Sequence, residues 1–294
     1  MKILITGKSG YIGKQLGKHL RESKRHEVSF ISLRNDDWKK KDLRGYDAIV
    51  HLAGLVHQKA GKPLSEYLRI NRDMTAELAE KAKGEGIGHF VFFSTMAVYG
   101  ETGSVEETTV ITPETRENPK TPYALSKFLA EKELFQLDDE SFTVTVLRPP
   151  LVYGRDCPGN FQSLMRIADK AVLFPTLKNQ RSMIYIENLL YSVAGILDKR
   201  KEGIFFPQDE SYRSTYEILR DLRRKQGKRT LRASLLNPVV KALAKRNLTA
   251  GKAFGSLIYQ QEMSEIPEVE YQKVSWDKAL EAMTATSPKE RNHP

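Results

Sequence analysis

Five short runs rich in β-branched and aromatic residues punctuate the first half of the chain: KILIT (2–6), EVSFISL (27–33), DAIVHL (47–52), HFVFFST (89–95) and FTVTVL (142–147). Helical periodicity occupies the intervals near 11–23, 64–83 and 122–137. Strands separated by crossover helices pair in parallel, with right-handed connections and helices over both faces. The alternation therefore predicts a doubly wound, Rossmann-type α/β sheet. Beyond residue 148 the rhythm changes to helical segments near 160–171, 187–198, 214–226 and 235–246, with one short strand candidate at Ile204 to Phe206. The expected division is a sheet-forming α/β domain at 1–148, a smaller and mostly helical lobe at 149–288 lying over the carboxyl ends of the strands, and a polar frayed tail at 289–294. Residues 183–199 are expected to pack back onto the first domain.

A formal charge of +10 over 294 residues suits a polyanion binder and equally an enzyme of phosphorylated small molecules. Its basic runs, such as LRESKRH, WKKKDLR and LRDLRRKQGKR, lack aromatic interleaving and any nucleic-acid module. They read as solvated helix faces, and nucleic acid is not an expected partner. No apolar run reaches the roughly 20 residues of a membrane span. The opening MKILITGKSGYIG is too poor in consecutive aliphatics for a signal-peptide core, so a cytoplasmic location is expected. Cys157 is the single cysteine and has no histidine near it in sequence, which disfavours a catalytic thiol; no Cys/His cluster has metal-ligand spacing, and no metal is expected. Around 215–253, basic and apolar residues alternate through SLLNPVVKALAKRNL. An amphipathic membrane-surface helix would look like this, but Pro238 interrupts it and a lobe helix fits equally, so membrane contact is not expected.

TGKSGYIG (6–13) leaves the first strand and opens the first helix, the context a dinucleotide-binding turn requires. Gly7 permits the tight turn, Gly10 lets the backbone approach a pyrophosphate, and Gly13 lets the helix pack closely; Ser9, Tyr11 and Ile12 complete the candidate cofactor contacts. The pyrophosphate would meet free amides and the positive end of the helix dipole. At the end of the second strand, ISLRND offers Ser32 and Arg34 where NAD-specific proteins commonly place a carboxylate. A hydroxyl and a guanidinium welcome a 2′-phosphate, so NADP(H) is favoured and NAD(H) remains open through Asp36 and Asp37 just beyond.

In KTPYALSK (120–127), Thr121 suits an N-cap and Pro122 the first helical position, which sets Tyr123 and Lys127 on one side of the opening turn. A phenol titrates near 10 and is a poor acid or base at neutral pH. An adjacent ammonium and a cationic nicotinamide stabilise phenolate and should draw that value toward the working range. Thr95, ending the fourth strand in FFSTMAVYG (92–100), is placed to donate a hydrogen bond to a reacting oxygen.

TGKSGYIG, DLRGYDAIVHLAG (42–54), YLRINRDMT (67–75), FFSTMAVYG, TPYALSK, LRPPLVYG (147–154) and RSMIYIENLL (181–190), in this order, resemble the extended short-chain dehydrogenase/reductases, in their nucleotide-sugar epimerase, dehydratase and reductase branch. The resemblance runs from the first residue to about residue 200 and more faintly beyond. It implies that Thr95, Tyr123 and Lys127 are the catalytic set. It further implies that Asp42 and Leu43 touch the adenine, Leu52, Ala53 and Gly54 the ribose and phosphates, Asn71 the floor of the site, and the Pro149–Pro150 segment the nicotinamide. Asn160 and Arg181 match positions that hold the diphosphate of a UDP- or dTDP-linked sugar, and the branch often forms homodimers through the helix carrying its tyrosine.

Within this branch, dehydratases usually carry an acidic pair after the strand threonine, whereas Met96 and Ala97 follow Thr95 here. Dehydration is accordingly not expected. The expected reaction is NADPH-dependent reduction of the C4 keto group of a UDP-4-keto-6-deoxy-N-acetylhexosamine, of the kind used in polysaccharide biosynthesis. The alternatives are a UDP-hexose or UDP-N-acetylhexosamine 4-epimerase retaining NAD, and a non-catalytic NADP(H) sensor.

Overall fold

The computed structural model describes residues 1–56, 61–101, 103–246, 251 and 253–285; the expected frayed tail lies outside them. The strands run in chain order as β1 (Lys2–Thr6), β2 (Glu27–Ile31), β3 (Ala48–His51), β4 (His89–Phe93), β5 (Thr108–Ile111), β6 (Thr143–Leu147), β7 (Leu151–Tyr153), β8 (Leu173–Phe174), β9 (Met183–Tyr185), β10 (Gly203–Phe205), β11 (Leu231–Arg232) and β12 (Ser256–Tyr259). Helices are α1 (Tyr11–Glu22), α2 (Leu64–Leu68), α3 (Met74–Gly84), α4 (Pro122–Phe135), α5 (Asn160–Lys170), α6 (Ile186–Lys199), α7 (Thr215–Lys225) and α8 (Asn237–Arg246), with a further helix at Trp276–Thr284 that the sequence reading did not anticipate.

Six strands form one all-parallel sheet in the order β2-β1-β3-β4-β6-β10. Successive side chains point to opposite faces, and both faces are covered, so β4 is buried at all five positions. In β1, Ile3 and Ile5 join a core with Leu16 and Leu20 of α1 and Leu189 and Val193 of α6. Leu4 faces the other way, into a core with Leu78 and Ala82 of α3 and Ala130 and Leu134 of α4. The chain steps outward from β1 to β2 and then returns to place β3 on the other side of β1. That reversal opens a crevice at the carboxyl ends of β1 and β3, where such sheets take their ligands.

Three features depart from the sequence reading. The strand expected at 204–206 exists, but as β10 it pairs with β6 and completes the main sheet instead of belonging to the second lobe. The single helix expected over 64–83 is divided by a π-helical turn at Arg69–Asp73. Pro238 does not interrupt α8: it sits in the first turn, where its missing N–H costs nothing and its fixed φ suits the helix. Outside the main sheet lie three two-stranded parallel ribbons, β7–β9 and β8–β11 in the second lobe and β5–β12, which joins the lobe to a segment of the first domain.

Candidate active site

The glycine turn is closed against the start of the next strand connection. Gly7 has φ of +77°, and a Cβ there would lie 3.0 Å from the Ala53 nitrogen and the Leu52 carbonyl carbon. A Cβ on Gly13 would overlap the Gly7 carbonyl oxygen, so the third glycine packs the helix against the turn itself. Gly10 is the N-cap of α1, with no side chain satisfying the first-turn amides and no acidic residue in that turn. Orphan N–H groups and an uncompensated positive helix end meet the demands of a pyrophosphate, so the residues present fit a dinucleotide. Tyr11 and Ile12 are half-buried; a Cβ on Gly154 would come within 2.5 Å of the Tyr11 hydroxyl, which ties the turn to the second lobe.

Arg34 donates from Nη2 to Ser9 Oγ at 3.4 Å, and its backbone N–H donates to Ser32 Oγ at 3.4 Å. Both side chains of the Arg34–Ser9 pair are exposed at the mouth of the turn. Asp36 pairs with Lys39 at 3.6 Å, while Asp37 accepts from Asn35 Nδ2 at 2.5 Å, so both carboxylates are engaged within their own turn. Asp42 is exposed and accepts from Arg44 Nε at 2.9 Å and Nη2 at 2.7 Å. That pairing holds its carboxyl down to about 2. The Leu43 side chain is buried in the core with Trp38, Ile49 and Leu78.

A buried hydrogen-bond chain joins the turn to helix α4. Thr6 Oγ1 accepts from the N–H groups of Leu52 (3.0 Å) and Ala53 (2.9 Å), leaving its own proton for His51 Nδ1 at 3.0 Å. That assignment puts the ring proton on His51 Nε2, which donates to Thr75 Oγ1 at 3.0 Å; Thr75 in turn donates to the Asn71 carbonyl at 2.9 Å. Burial, with Lys127 nearby, pushes His51 down to about 3 and keeps it neutral. Asn71 lies in the π turn, a geometry recurrent at functional sites. Its Oδ1 accepts from the Leu55 N–H (2.6 Å), and its Nδ2 donates to the Leu55 carbonyl (2.9 Å) and to Ser126 Oγ (3.0 Å). Ser126 Oγ then donates to the Tyr123 carbonyl at 2.8 Å.

Thr121 caps α4 by accepting from the Ala124 N–H at 3.1 Å, and Pro122 follows as its first residue. Tyr123 is hydrogen-bonded to Thr95, whose own Oγ1 accepts from the Ala97 N–H at 3.2 Å. One turn on, Lys127 is buried with its ammonium 3.8 Å from the centre of the Phe92 ring. A Cβ on Gly54 would lie 4.0 Å from that ammonium and 3.1 Å from Asn71 Oδ1, which brings Gly54, Asn71 and Lys127 to one spot. Pro149 and Pro150 are buried, and the Pro149 carbonyl accepts from the Met96 N–H, next to Thr95, at 3.1 Å.

Burial sets the titration directions of this pair. Burial pushes Tyr123 up to about 12 against the opposing hydrogen bond from Thr95. Burial also lowers Lys127 to about 7, opposed by the Glu131 carboxylate. Desolvation disfavours the charged form of each group, and at these positions it outweighs the opposing contacts of Thr95 and Glu131.

Two charged residues beneath the site escaped the sequence reading. Arg148 donates to Glu131 through Nε (3.2 Å) and Nη2 (2.5 Å), and through Nη1 to Glu117 (2.7 Å) and the Tyr99 hydroxyl (2.9 Å). Glu131 also accepts from Ser94 Oγ, immediately before Thr95. Arg148 and Glu131 are each 2% exposed. The available signals were an arginine ending the apolar run FTVTVL and a glutamate four residues beyond Lys127 on the same helix face.

The second-lobe candidates are less completely defined. Asn160 opens α5 behind the N-cap Gly159, and its side chain lies outside the described residues. Arg181 is half-buried next to β9, donates from Nη2 to the Gly255 carbonyl at 3.4 Å, and is lowered to about 10 by burial. A desolvated guanidinium of this kind gains strongly from an anion. Cys157 is buried and pushed up to about 11, as befits a structural thiol. Among the described residues no group of acidic, Cys and His side chains has the geometry of a metal site, and no helix is long and apolar enough to cross a membrane.

Sheet order, glycine turn and tyrosine–lysine helix together define a dinucleotide-binding α/β protein of the short-chain dehydrogenase/reductase type. The chain belongs to the NAD dependent epimerase/dehydratase family, whose model matches residues 3–205. It is 33% identical over 250 residues to a UDP-glucose 4-epimerase of Vibrio cholerae, covering 75% of this chain and 74% of that protein. It is 25% identical over 206 residues to a UDP-2-acetamido-2,6-beta-L-arabino-hexul-4-ose reductase of Pseudomonas aeruginosa, covering 67% and 50% respectively. Among solved structures, RMD from Pseudomonas aeruginosa complexed with NADPH superposes with a TM-score of 0.74 at 18% identity, covering 96% of this chain and 98% of that one. Likeness at that identity establishes the fold alone.

Proposed function

We propose that the protein reduces the C4 keto group of a nucleoside-diphosphate sugar, a UDP-4-keto-6-deoxy-N-acetylhexosamine, with NADPH. The observation that carries this reading is the hydrogen-bonded Thr95–Tyr123 pair with Lys127 one turn along the same helix. A bound nicotinamide dinucleotide would supply the hydride. Gly7, Gly10 and Gly13 would admit its pyrophosphate, Ser9, Ser32 and Arg34 its 2′-phosphate, and Leu52 to Gly54, Asn71, Lys127 and Pro150 the rest of its length. Thr95 orients the sugar carbonyl, and Tyr123 delivers the proton to O4. A phenol held up to about 12 stays protonated at neutral pH, which suits a donor better than an acceptor. Arg181 is the candidate partner of the substrate's diphosphate.

A 4-epimerase of UDP-hexoses is the second reading, and the similarity to the Vibrio cholerae enzyme supports it. Epimerisation begins with proton removal from the C4 hydroxyl, so the same tyrosine would have to act first as a base. Neighbours of this fold have been solved with NAD as well as with NADPH; the Arg34–Ser9 pair and the engaged Asp36 and Asp37 lean toward NADPH.

The test is purified protein with a UDP-4-keto-6-deoxy sugar and either NADPH or NADH, following absorbance loss and product identity. Consumption of NADPH is the expected result. Consumption of neither, together with interconversion of UDP-GlcNAc and UDP-GalNAc, would reject reduction in favour of epimerisation. Tyr123→Phe should bind dinucleotide normally yet turn over about 100-fold or more slowly, the loss expected for a missing general acid.

A further inference from the structure

The groups assigned to the chemistry stand on two separate elements, Thr95 just beyond β4 and Tyr123 and Lys127 on α4, so the reaction needs those elements held in fixed register. Backbone hydrogen bonds supply half of this. The Ser94 N–H donates to the Leu147 carbonyl at 2.7 Å and the Met96 N–H to the Pro149 carbonyl at 3.1 Å, which fastens both flanks of Thr95 to the end of β6. Neither bond reaches α4. Glu131 of α4, one turn beyond Lys127, makes that connection. One of its carboxylate oxygens accepts both the Ser94 hydroxyl and Arg148 Nε (3.2 Å), while the other accepts Arg148 Nη2 (2.5 Å). Arg148 lies between Leu147 and Pro149, the two residues whose carbonyls hold the flanks of Thr95. Its remaining arm, Nη1, reaches the Tyr99 hydroxyl in the turn that follows Thr95 and Glu117 in the segment leading to the Thr121 cap. Four segments around the site thus converge on one ion pair.

Stability does not account for such an arrangement. Deleting one member of a buried ion pair is costly, but exchanging the whole pair for apolar groups of similar volume is often neutral or stabilising, because desolvation of two charges consumes most of their attraction. What the pair has and an apolar cluster lacks is direction, since a planar guanidinium fork and a carboxylate meet in a defined orientation. It also brings charge close to Lys127. Burial lowers that ammonium, and the Glu131 carboxylate opposes the lowering. The other ionisable groups about Lys127 are Tyr123 on the same helix and His51 of β3, which burial keeps neutral; Arg148 and Glu117 stand behind Glu131.

We propose that Glu131, clamped by Arg148, is a positioning residue for the reaction: through Ser94 it sets Thr95 against Tyr123, and through its charge it holds the Lys127 ammonium. Glu131 and Arg148 touch neither substrate nor dinucleotide in this role; they act through the residues that do. The proposal rests on the assignment of Thr95, Tyr123 and Lys127 made above, and it holds for reduction and epimerisation alike because both use that set.

The test measures kcat, KM for the sugar and dinucleotide affinity of Ser94→Ala and Glu131→Gln across pH, on whichever turnover the wild type shows, reduction of the keto sugar or interconversion of UDP-GlcNAc and UDP-GalNAc. Ser94→Ala leaves the Glu131–Arg148 pair complete, so it should fold normally yet lower kcat about tenfold or more at every pH, with KM and dinucleotide affinity within about twofold of wild type. Glu131→Gln keeps the shape and removes the charge. Besides lowering kcat it should move the alkaline fall of kcat to lower pH, because Lys127 then gives up its proton sooner. The proposal is overturned if Ser94→Ala turns over like the wild type, if Glu131→Gln leaves the alkaline limb in place, or if KM and dinucleotide affinity decline as much as kcat. Should the wild type turn over neither substrate, the functional reading falls by itself, and hydrogen exchange at the Met96 and Ala97 amides decides the positioning. Exchange about tenfold faster there in Ser94→Ala, with the amides of β1 unchanged, would support the tie to α4, and unchanged exchange would overturn it.

Discussion

Helices α4 and α8 are both short, both carry lysines, and both begin with proline in their first turn, yet they occupy opposite extremes of burial. Helix α4 buries Ser126, Lys127 and Glu131 among its apolar residues, whereas α8 buries nothing. The difference comes from the layer each belongs to. Helix α4 lies against a sheet covered on both faces, so any polar group on its inner side loses water and must find a partner or shift its titration. Lys127 over Phe92 and Glu131 beneath Arg148 are the two outcomes. On α8 a lysine stays hydrated and a leucine bears the cost of exposure instead. Chemistry therefore collects where the sheet desolvates charge, and the outer face of the lobe leaves charge hydrated.

The contrast breaks most visibly at Glu131. Replacing it with alanine leaves the 2%-exposed Arg148 with Glu117 and Tyr99 as partners and strips Ser94 of its acceptor. Removing one member of a buried pair costs about 3–5 kcal/mol. Urea denaturation of Glu131→Ala should show a loss in that range; a loss below about 1 kcal/mol would mean that the layer does not desolvate the pair.

Lys127 sharpens the same point through pH. A lysine lowered to about 7 in the folded chain and near 10.5 when unfolded binds fewer protons folded than unfolded between those values. Stability contributed through this group therefore rises with pH across that window. Relative to Lys127→Met, which cannot titrate, the wild type should gain about 2 kcal/mol between pH 7 and pH 9. Equal slopes for the two proteins would show that the ammonium is hydrated after all.

Arg34 is intermediate, a charged residue exposed at the rim of the buried site. Arg34→Asp should weaken NADPH binding by about tenfold or more and spare NADH, since the change exchanges a charge-assisted contact for repulsion. Fluorescence titration of the two dinucleotides measures it. Equal loss for both would assign Arg34 to the architecture of the turn.

How much of this could be read from residues alone follows the same division. Strands buried on both faces write continuous apolar runs, so β1 to β4 and β6 are legible, as is the capped start of α4 at Thr121 and Pro122. The π turn that seats Asn71 has no compositional signature, because one extra residue per turn alters hydrogen bonding and not pattern. Strands β5 and β12 pair across roughly half the chain, and ribbons of two to four residues are too short for a period to appear. The burial of the Leu43 side chain has no local signature either, because its neighbours in sequence are polar while its neighbours in space are Trp38 and Leu78. The raised phenol and lowered ammonium depended on how deeply α4 is buried, which spacing cannot report.

The smallest expected effect tests the other pole. Leu243→Ser removes an aliphatic side chain that is 55% exposed on a helix with no buried residue. Taking a leucine out of a core costs about 2–5 kcal/mol because transferred surface and a cavity are both lost, and neither loss applies to a side chain already in water. What remains is the helix-propensity difference, a few tenths of a kcal/mol, so the urea midpoint should move by less than about 0.5 kcal/mol equivalent. A loss above about 1 kcal/mol would show that Leu243 is covered in solution by something that stabilises the folded chain. Repeating the measurement over a range of protein concentrations would then separate the two sources. A midpoint that rises with concentration points to a second copy of the chain, and one that does not points to a contact within it.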